Sequence, residues 1–220
     1  MKINIPLLAL ALGAFGIGLT EFSPMGMLPI IANDLAVSIP TAGLLISAYA
    51  FGVLIGAPVM TLLFANMSRR NLLLLSMGIF TLGNLISAMA DSYNVLLLGR
   101  IITSFNHGAF FGVGSVVASR IAEKGKAAQA VSMMFAGLTI ANVLGVPLGT
   151  FIGHNFSWRL SFVVVAVVGL ITLLSLKQWL PVLPANKNRD LKAELGFFKK
   201  QEAWLIIIMV SIGTGGLFTW

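Results

Sequence analysis

Apolar residues come in long blocks almost free of charge. The first extends from Ile3 to Asn33 and holds one ionisable group, Glu21, inside "GIGLTEFSPMG". Comparable blocks predict membrane-spanning helices over 5–31, 41–64, 72–90, 94–119, 130–153 and 159–180, with a seventh opening at 204–220. Each approaches the ~20 residues that cross a ~30 Å hydrocarbon core. They are too long and too evenly apolar for alternating barrel strands, so helices are the spanning form. The N-terminus looks like a signal peptide: Lys2, an apolar run, then "ALA" at 9–11. The run continues to Ile31 without a polar cleavage region, so it reads as an uncleaved first helix.

Composition agrees with a membrane protein. Of 220 residues, 58% are hydrophobic and 10% charged, against about 25% charged in soluble domains. The chain has no cysteine, which removes disulfides, thiolate metal sites and cysteine nucleophiles. Two histidines and seven carboxylates leave little from which to build a metal cage, so no metal is expected. No G-x-x-x-x-G-K-[ST] loop occurs, so direct use of ATP is not expected. No carboxylate pair or nucleophile–base pair falls in one span, and an enzyme is not expected.

Charge position is more informative than the net +7. Of the 14 Lys and Arg, all but Arg100 and Arg159 fall before helix 1, in the 2–3 and 4–5 turns, or at and beyond the end of helix 6. The positive-inside rule then predicts a cytoplasmic N-terminus and a cytoplasmic 181–203 segment. The basic charge is topological, and no nucleic-acid partner is expected. Within that segment, residues 188–204 mix basic side chains with Leu191, Leu195, Phe197 and Phe198 and could lie in the interface as an amphipathic helix.

The chain repeats itself. "GAPVMTLLF" (56–64) and "GVPLGTFIG" (145–153) both read Gly-x-Pro-x-x-Thr, offset by 89 residues. Three helices separate them, so they cross in opposite directions, as in the inverted three-helix repeats of secondary transporters. Small residues recur every four positions: Gly137, Ala141, Gly145, Gly149 and Gly153 on helix 5, Gly52 and Gly56 on helix 2, and Gly108 and Gly112 on helix 4. Such stripes let helix backbones approach closely and could also permit sliding. Pro58 and Pro147 each remove a backbone hydrogen bond and are expected to bend their helices.

Five segments carry a family likeness: "GLTEFSPMGMLP", "LISAYAFGVLIGAP", "GRIITSFNHGAFFG", "GLTIANVLGVPLGT" and "SWRLSF". The chain resembles the N-terminal half of a major facilitator superfamily transporter, specifically the sugar-efflux and drug-efflux proton antiporters of bacterial inner membranes. The likeness covers essentially all 220 residues. It implies an all-α membrane protein: a six-helix bundle of two inverted repeats over 1–180, a linker at 181–203, and the start of helix 7 of a further C-terminal half at 204–220. It also implies a proton-coupled exporter of a small organic solute, sugar or drug-like, working by alternating access, without cofactor and as a monomer at full length. A facilitator or importer of the same fold, or a truncated protein that does not transport, is the alternative.

The family's motifs are altered here. In the 2–3 turn, "ANMSRR" keeps Arg69 and Arg70, but Ala65, Asn66 and Ser68 replace the usual Asp, Arg and Gly. Helix 4 keeps Arg100 but has Thr103 and Ser104 in place of Gln and Gly. Helix 5 has Ala141-Asn142 where Gly-Pro is common.

Three ionisable groups lie at depth. From the ~1.5 Å rise per residue, Glu21 lies about 15 Å, Arg100 about 9 Å and His107 about 20 Å from the outer side. Charge at such depth is costly, so these groups should face a cavity or a partner. Pairs of Glu21 with Arg100 or with His107 are both reachable. Glu21 is then either one half of a structural ion pair or a proton carrier and substrate contact. Arg100 is an organiser or a substrate ligand. His107 is a packing residue, a proton relay or a substrate contact. Asn106 and Asn142 could donate into a cavity or join helices. Met25, Met27, Met133 and Met134 could line a tolerant apolar site or simply fill space. His154, at the outer end of helix 5, reads as solvated.

Overall fold

A computed structural model describes residues 4–182 and 200–215. All six expected spans are helices long and apolar enough to cross a membrane: α1 (Ile5–Asp34), α2 (Ile39–Leu63), α3 (Arg69–Ala88), α4 (Tyr93–Ile121), α5 (Ala127–Asn155) and α6 (Trp158–Trp179). Five of them extend two or three residues past the apolar blocks at one end or both, and α2, α3 and α6 stop one or two residues short at the C-terminal end. The side chains of Ser38, Ser68 and Ser157 accept hydrogen bonds from the first backbone N–H groups of α2, α3 and α6, satisfying donors that a helix start leaves free. Ser68, in the altered motif, is therefore the cap of α3, and Arg69 and Arg70 form its first turn.

The helix pairings have a pseudo-twofold pattern. α1 packs on α5 and α6; α4 packs on α2 and α3; α3 and α6 meet each other. Exchanging α1 with α4, α2 with α5 and α3 with α6 maps the main pairings onto themselves. Each three-helix unit thus lends its first helix to the other unit. An odd number of crossings per unit gives the two units opposite orientation, as the Gly-x-Pro-x-x-Thr repeat predicts. One pairing breaks the pattern: α5 also meets α6, where Ser161 Oγ donates to the Gly149 carbonyl at 2.7 Å.

Glycines make the close approaches. A Cβ at Gly137 would land on the Ala11 backbone carbonyl, and one at Gly56 on the Phe105 backbone. Gly52 faces Ser104, Gly145 faces Leu19, Gly149 faces Ser23 and Gly108 faces Ala57. Gly112 has open space instead, so it does not belong to the α4 seam with Gly108.

The two repeat copies diverge at their prolines. Around Pro58, α2 stays α-helical, and Thr61 Oγ1 donates to the Ala57 carbonyl at 2.8 Å. Ahead of Pro147, α5 opens a π turn over Ala141–Gly145. Proline cannot donate to the carbonyl four residues back, and a wider turn absorbs that mismatch.

A seventh helix, α7, spans Gln201–Gly215 and belongs to a unit separate from that of the six spans. The interfacial helix expected over 188–204 falls mostly on 188–199, outside the described residues.

Candidate functional site

The site begins with a proline. Pro24 sits inside α1 and has no N–H for the carbonyl of Thr20, four residues earlier. An unpaired carbonyl at membrane depth costs several kcal/mol. Arg100 of α4 meets that need: its Nη1 donates to the Thr20 carbonyl and lies 3.3 Å from Thr20 Oγ1. The Thr20 hydroxyl donates to Asn84 Oδ1 of α3 at 2.7 Å, and Asn84 Nδ2 donates to the Phe80 carbonyl at 2.9 Å. All three side chains are buried.

Tyr49 of α2 closes the other face of the guanidinium. Arg100 Cζ stands 4.2 Å from the Tyr49 ring centroid, a cation–π contact. The Tyr49 hydroxyl is hydrogen-bonded to His107 Nδ1 at 3.2 Å, and that nitrogen is also 3.8 Å from Glu21 Oε2. A connected path thus runs Asn84–Thr20–Arg100–Tyr49–His107–Glu21 through four helices. Arg100 is 1% exposed, whereas the Glu21 and His107 side chains are each 18% exposed. The path has a sealed cationic end and an open acidic end.

Glu21, Arg100 and His107 therefore come together. Glu21 pairs with His107; among the described residues no ion pair joins it to Arg100. Distance along α4 alone does not separate the two pairings; the Tyr49 ring covers one face of the guanidinium, and Arg100 Nε and Nη2 have no hydrogen-bond partner among the described residues. Asn106 is buried, and neither of its amide atoms has a hydrogen-bond partner among the described residues. Asn142 is exposed within the π turn of α5, not turned into the bundle core. Met27 and Met134 are core residues, so they line no open surface, while Met25 and Met133 are half-buried. His154 is exposed as expected but also bonds the Gly26 carbonyl of α1 at 3.1 Å. Arg70 donates to the Lys177 carbonyl in the last turn of α6, a favoured position for a cation.

Sequence reasoning passed over Thr20, Asn84 and Tyr49. A signal for Thr20 existed: a proline four residues downstream in a spanning helix marks a carbonyl in need of a donor.

At the other end of the bundle, Arg159 Nη1 donates to Asp34 Oδ2 at 2.6 Å and Nε donates to the Ala90 carbonyl at 2.8 Å. Trp158 Nε1 donates to the same carboxylate at 3.0 Å. This cluster ties α6 to α1 and to the α3–α4 turn.

A helical bundle of two inverted three-helix units around a midplane polar cluster is the architecture of a secondary-transporter half. The chain belongs to the Major Facilitator Superfamily, whose family model matches residues 10–220. It is 53% identical over 219 residues to the inner membrane transport protein YdhP of Escherichia coli K12, covering 100% of this chain and 56% of that protein. It is 45% identical over 219 residues to an uncharacterized MFS-type transporter, YtbD, of Bacillus subtilis 168, covering 99% of this chain and 55% of that protein. The chain spans about half the length of these relatives. Its fold is similar to the crystal structure of peptide transporter POT in complex with sulfate, with a TM-score of 0.72 at 13% identity, covering 100% of this chain and 48% of that one. The protein is a multi-pass protein of the inner membrane.

Proposed function

We propose that the chain is the N-terminal half of a proton-coupled transporter that exports a small organic solute by alternating access. In this reading residues 1–180 are one half-bundle, 181–203 a cytoplasmic linker and 204–220 the start of the second half. The whole protein works as a monomer. The observation that carries the reading is His107 Nδ1, placed between the Tyr49 hydroxyl and the Glu21 carboxylate. A neutral Nδ1 accepts from Tyr49; a protonated Nδ1 donates and favours Glu21. One nitrogen thus has two partners that select opposite proton states. Solute arriving at the open Glu21–His107 end would shift that choice, which is the minimum a proton-coupled site requires.

The test is flux through the natural-length protein in proteoliposomes, with ethidium and methyl-thiogalactoside as probes. An imposed pH gradient is expected to drive accumulation, and Glu21→Gln to remove the response to the gradient. Flux that ignores both the gradient and Glu21→Gln excludes proton coupling.

Orientation has its own test. The basic turns favour a cytoplasmic N-terminus, and Arg159, on the opposite side, is paired with Asp34. The chain lacks cysteine, so single cysteines report cleanly. Asp91→Cys is expected to react with an impermeant maleimide in intact cells, and Lys124→Cys only after permeabilisation. The reverse pattern would invert the topology.

A further inference from the structure

A threonine inside a helix ordinarily turns its hydroxyl back along that helix. Thr61, Thr81, Thr103 and Thr172 do so, each donating to the carbonyl four residues earlier at 2.8 Å. Thr20 does not. Its hydroxyl leaves α1 and donates to Asn84 Oδ1 of α3 at 2.7 Å. The direction of that proton is fixed from the α3 side. Asn84 Nδ2 donates to the Phe80 carbonyl, and only the amide nitrogen can donate to a carbonyl, so the amide oxygen must face Thr20. Turning the amide over would break both bonds at a side chain with 0% exposure, where unpaired polar groups are costly.

The backbone sets Asn84 at the depth of Arg100. Their chain neighbours, Gly83 and Gly99, meet across the α3–α4 seam: a Cβ at Gly99 would lie 2.9 Å from the Gly83 carbonyl oxygen, and one at Gly83 would lie 2.7 Å from the Thr103 nitrogen. Asn84 makes its hydrogen bonds to Thr20 and Phe80, so it reaches the polar path through Thr20.

Arg100 Nη1 lies 3.3 Å from Thr20 Oγ1, which accepts because its own proton is spent on Asn84. Without Asn84 Oδ1 the hydroxyl would turn back to the Gly16 carbonyl, four residues earlier, and draw its oxygen away from Arg100. Arg100 Nε and Nη2 have no hydrogen-bond partner among the described residues. These two donors share one edge of the guanidinium, and such an edge forms two-bond pairs with oxygen acceptors. Anchoring Nη1 sets the direction of that uncommitted edge.

We propose that Asn84 is a positioning residue: through the Thr20 hydroxyl it holds the Arg100 guanidinium so that the Nε–Nη2 edge keeps one direction. Its part in solute movement rests on the proposed transport reading; its hold on Arg100 does not.

The natural-length protein in detergent micelles, with its arginines labelled with heavy nitrogen, reports the hold by magnetic resonance without solute or pH gradient. A held guanidinium turns slowly about the Cζ–Nη bonds and gives separate Nη1 and Nη2 signals; a loose one gives an averaged signal. The Arg100 signals are identified by their loss in Arg100→Lys. They are expected to be separate in the parent and in Thr20→Ser, which keeps the hydroxyl. Asn84→Leu should merge them by speeding the rotation about tenfold or more, as expected for loss of a charge-assisted hydrogen bond. Thr20→Val should do the same, and the double variant should do no more than either change alone, because both cut one link. If Asn84→Leu does not fold, Asn84→Ala, which cannot overpack, takes its place. An averaged signal in the parent, separate signals without Asn84, or effects that add in the double variant would overturn the proposal. A lowered melting temperature with unmoved Arg100 signals would overturn it too, leaving Asn84 a packing residue. Merged signals in Asn84→Leu together with gradient-independent flux spare this inference and sink the transport reading. Proton-driven flux with signals that Asn84→Leu does not move does the opposite.

Discussion

Arg100→Leu is expected to destabilise the bundle strongly in the natural background and much less when Pro24 is also replaced by Ala. Arg100 bonds the Thr20 carbonyl, which is available because Pro24 lacks an N–H. Alanine at 24 restores the helical donor, so the carbonyl no longer depends on α4. A hydrogen bond from a charged donor contributes about 1.5–3 kcal/mol, and a coupling of about 1–2 kcal/mol should appear in the double-mutant cycle. Removing a buried cation also relieves its desolvation cost, but that relief is present in both backgrounds and cancels. Unfolding in mixed micelles measures the four variants. Strictly additive penalties would mean that Arg100 is held mainly by Tyr49 and not by the opened helix.

The second large effect concerns a backbone contact. Gly137→Ala should destabilise the protein, whereas Gly112→Ala should be neutral. At Gly137 the added Cβ meets the Ala11 carbonyl oxygen and lies 2.8 Å from its carbon and 3.0 Å from the Phe15 nitrogen. Backbone cannot rotate away as a side chain can, so α1 and α5 must separate. Overpacking of this kind costs about 1–3 kcal/mol. At Gly112 nothing lies within 4 Å, and both glycines are helical, so the pair isolates contact from propensity. Equal melting temperatures for the two variants would mean that α1 and α5 yield easily. That outcome would favour a sliding seam over a rigid one.

The spans were legible because a membrane helix must satisfy its backbone internally and show apolar side chains outward, and both demands appear as long uncharged blocks. The inverted arrangement was legible at Gly56-x-Pro58 and Gly145-x-Pro147. What the two copies do with their prolines was not: the π turn ahead of Pro147 depends on how α5 fits α1. At the site, depth brought Glu21 and His107 together. It could not choose between His107 and Arg100 as the partner of Glu21, because lateral position of one helix against another is a tertiary property. The face on which Asn142 lies is a tertiary property as well. Periodicity put it on helix 5 but not on a particular face, since the π turn advances the face around the axis. Gly112 shares the spacing of Gly108, yet only Gly108 meets a neighbouring helix.

The exchange of first helices between the two repeats has a consequence for synthesis. α4 emerges directly after α2 and α3, the helices it packs against, so those three can assemble at once. α1 is made first, but α5 and α6 do not exist until more than 90 residues later. At ~5–20 residues per second the wait is on the order of ten seconds. Throughout it, Glu21 and the Pro24 break sit in a helix lacking its main partners. α1 is then the segment most in need of an insertase or a lipid-facing holding site, and a crosslinker placed on it should trap such a factor in short nascent chains and lose it once α6 has cleared the ribosome.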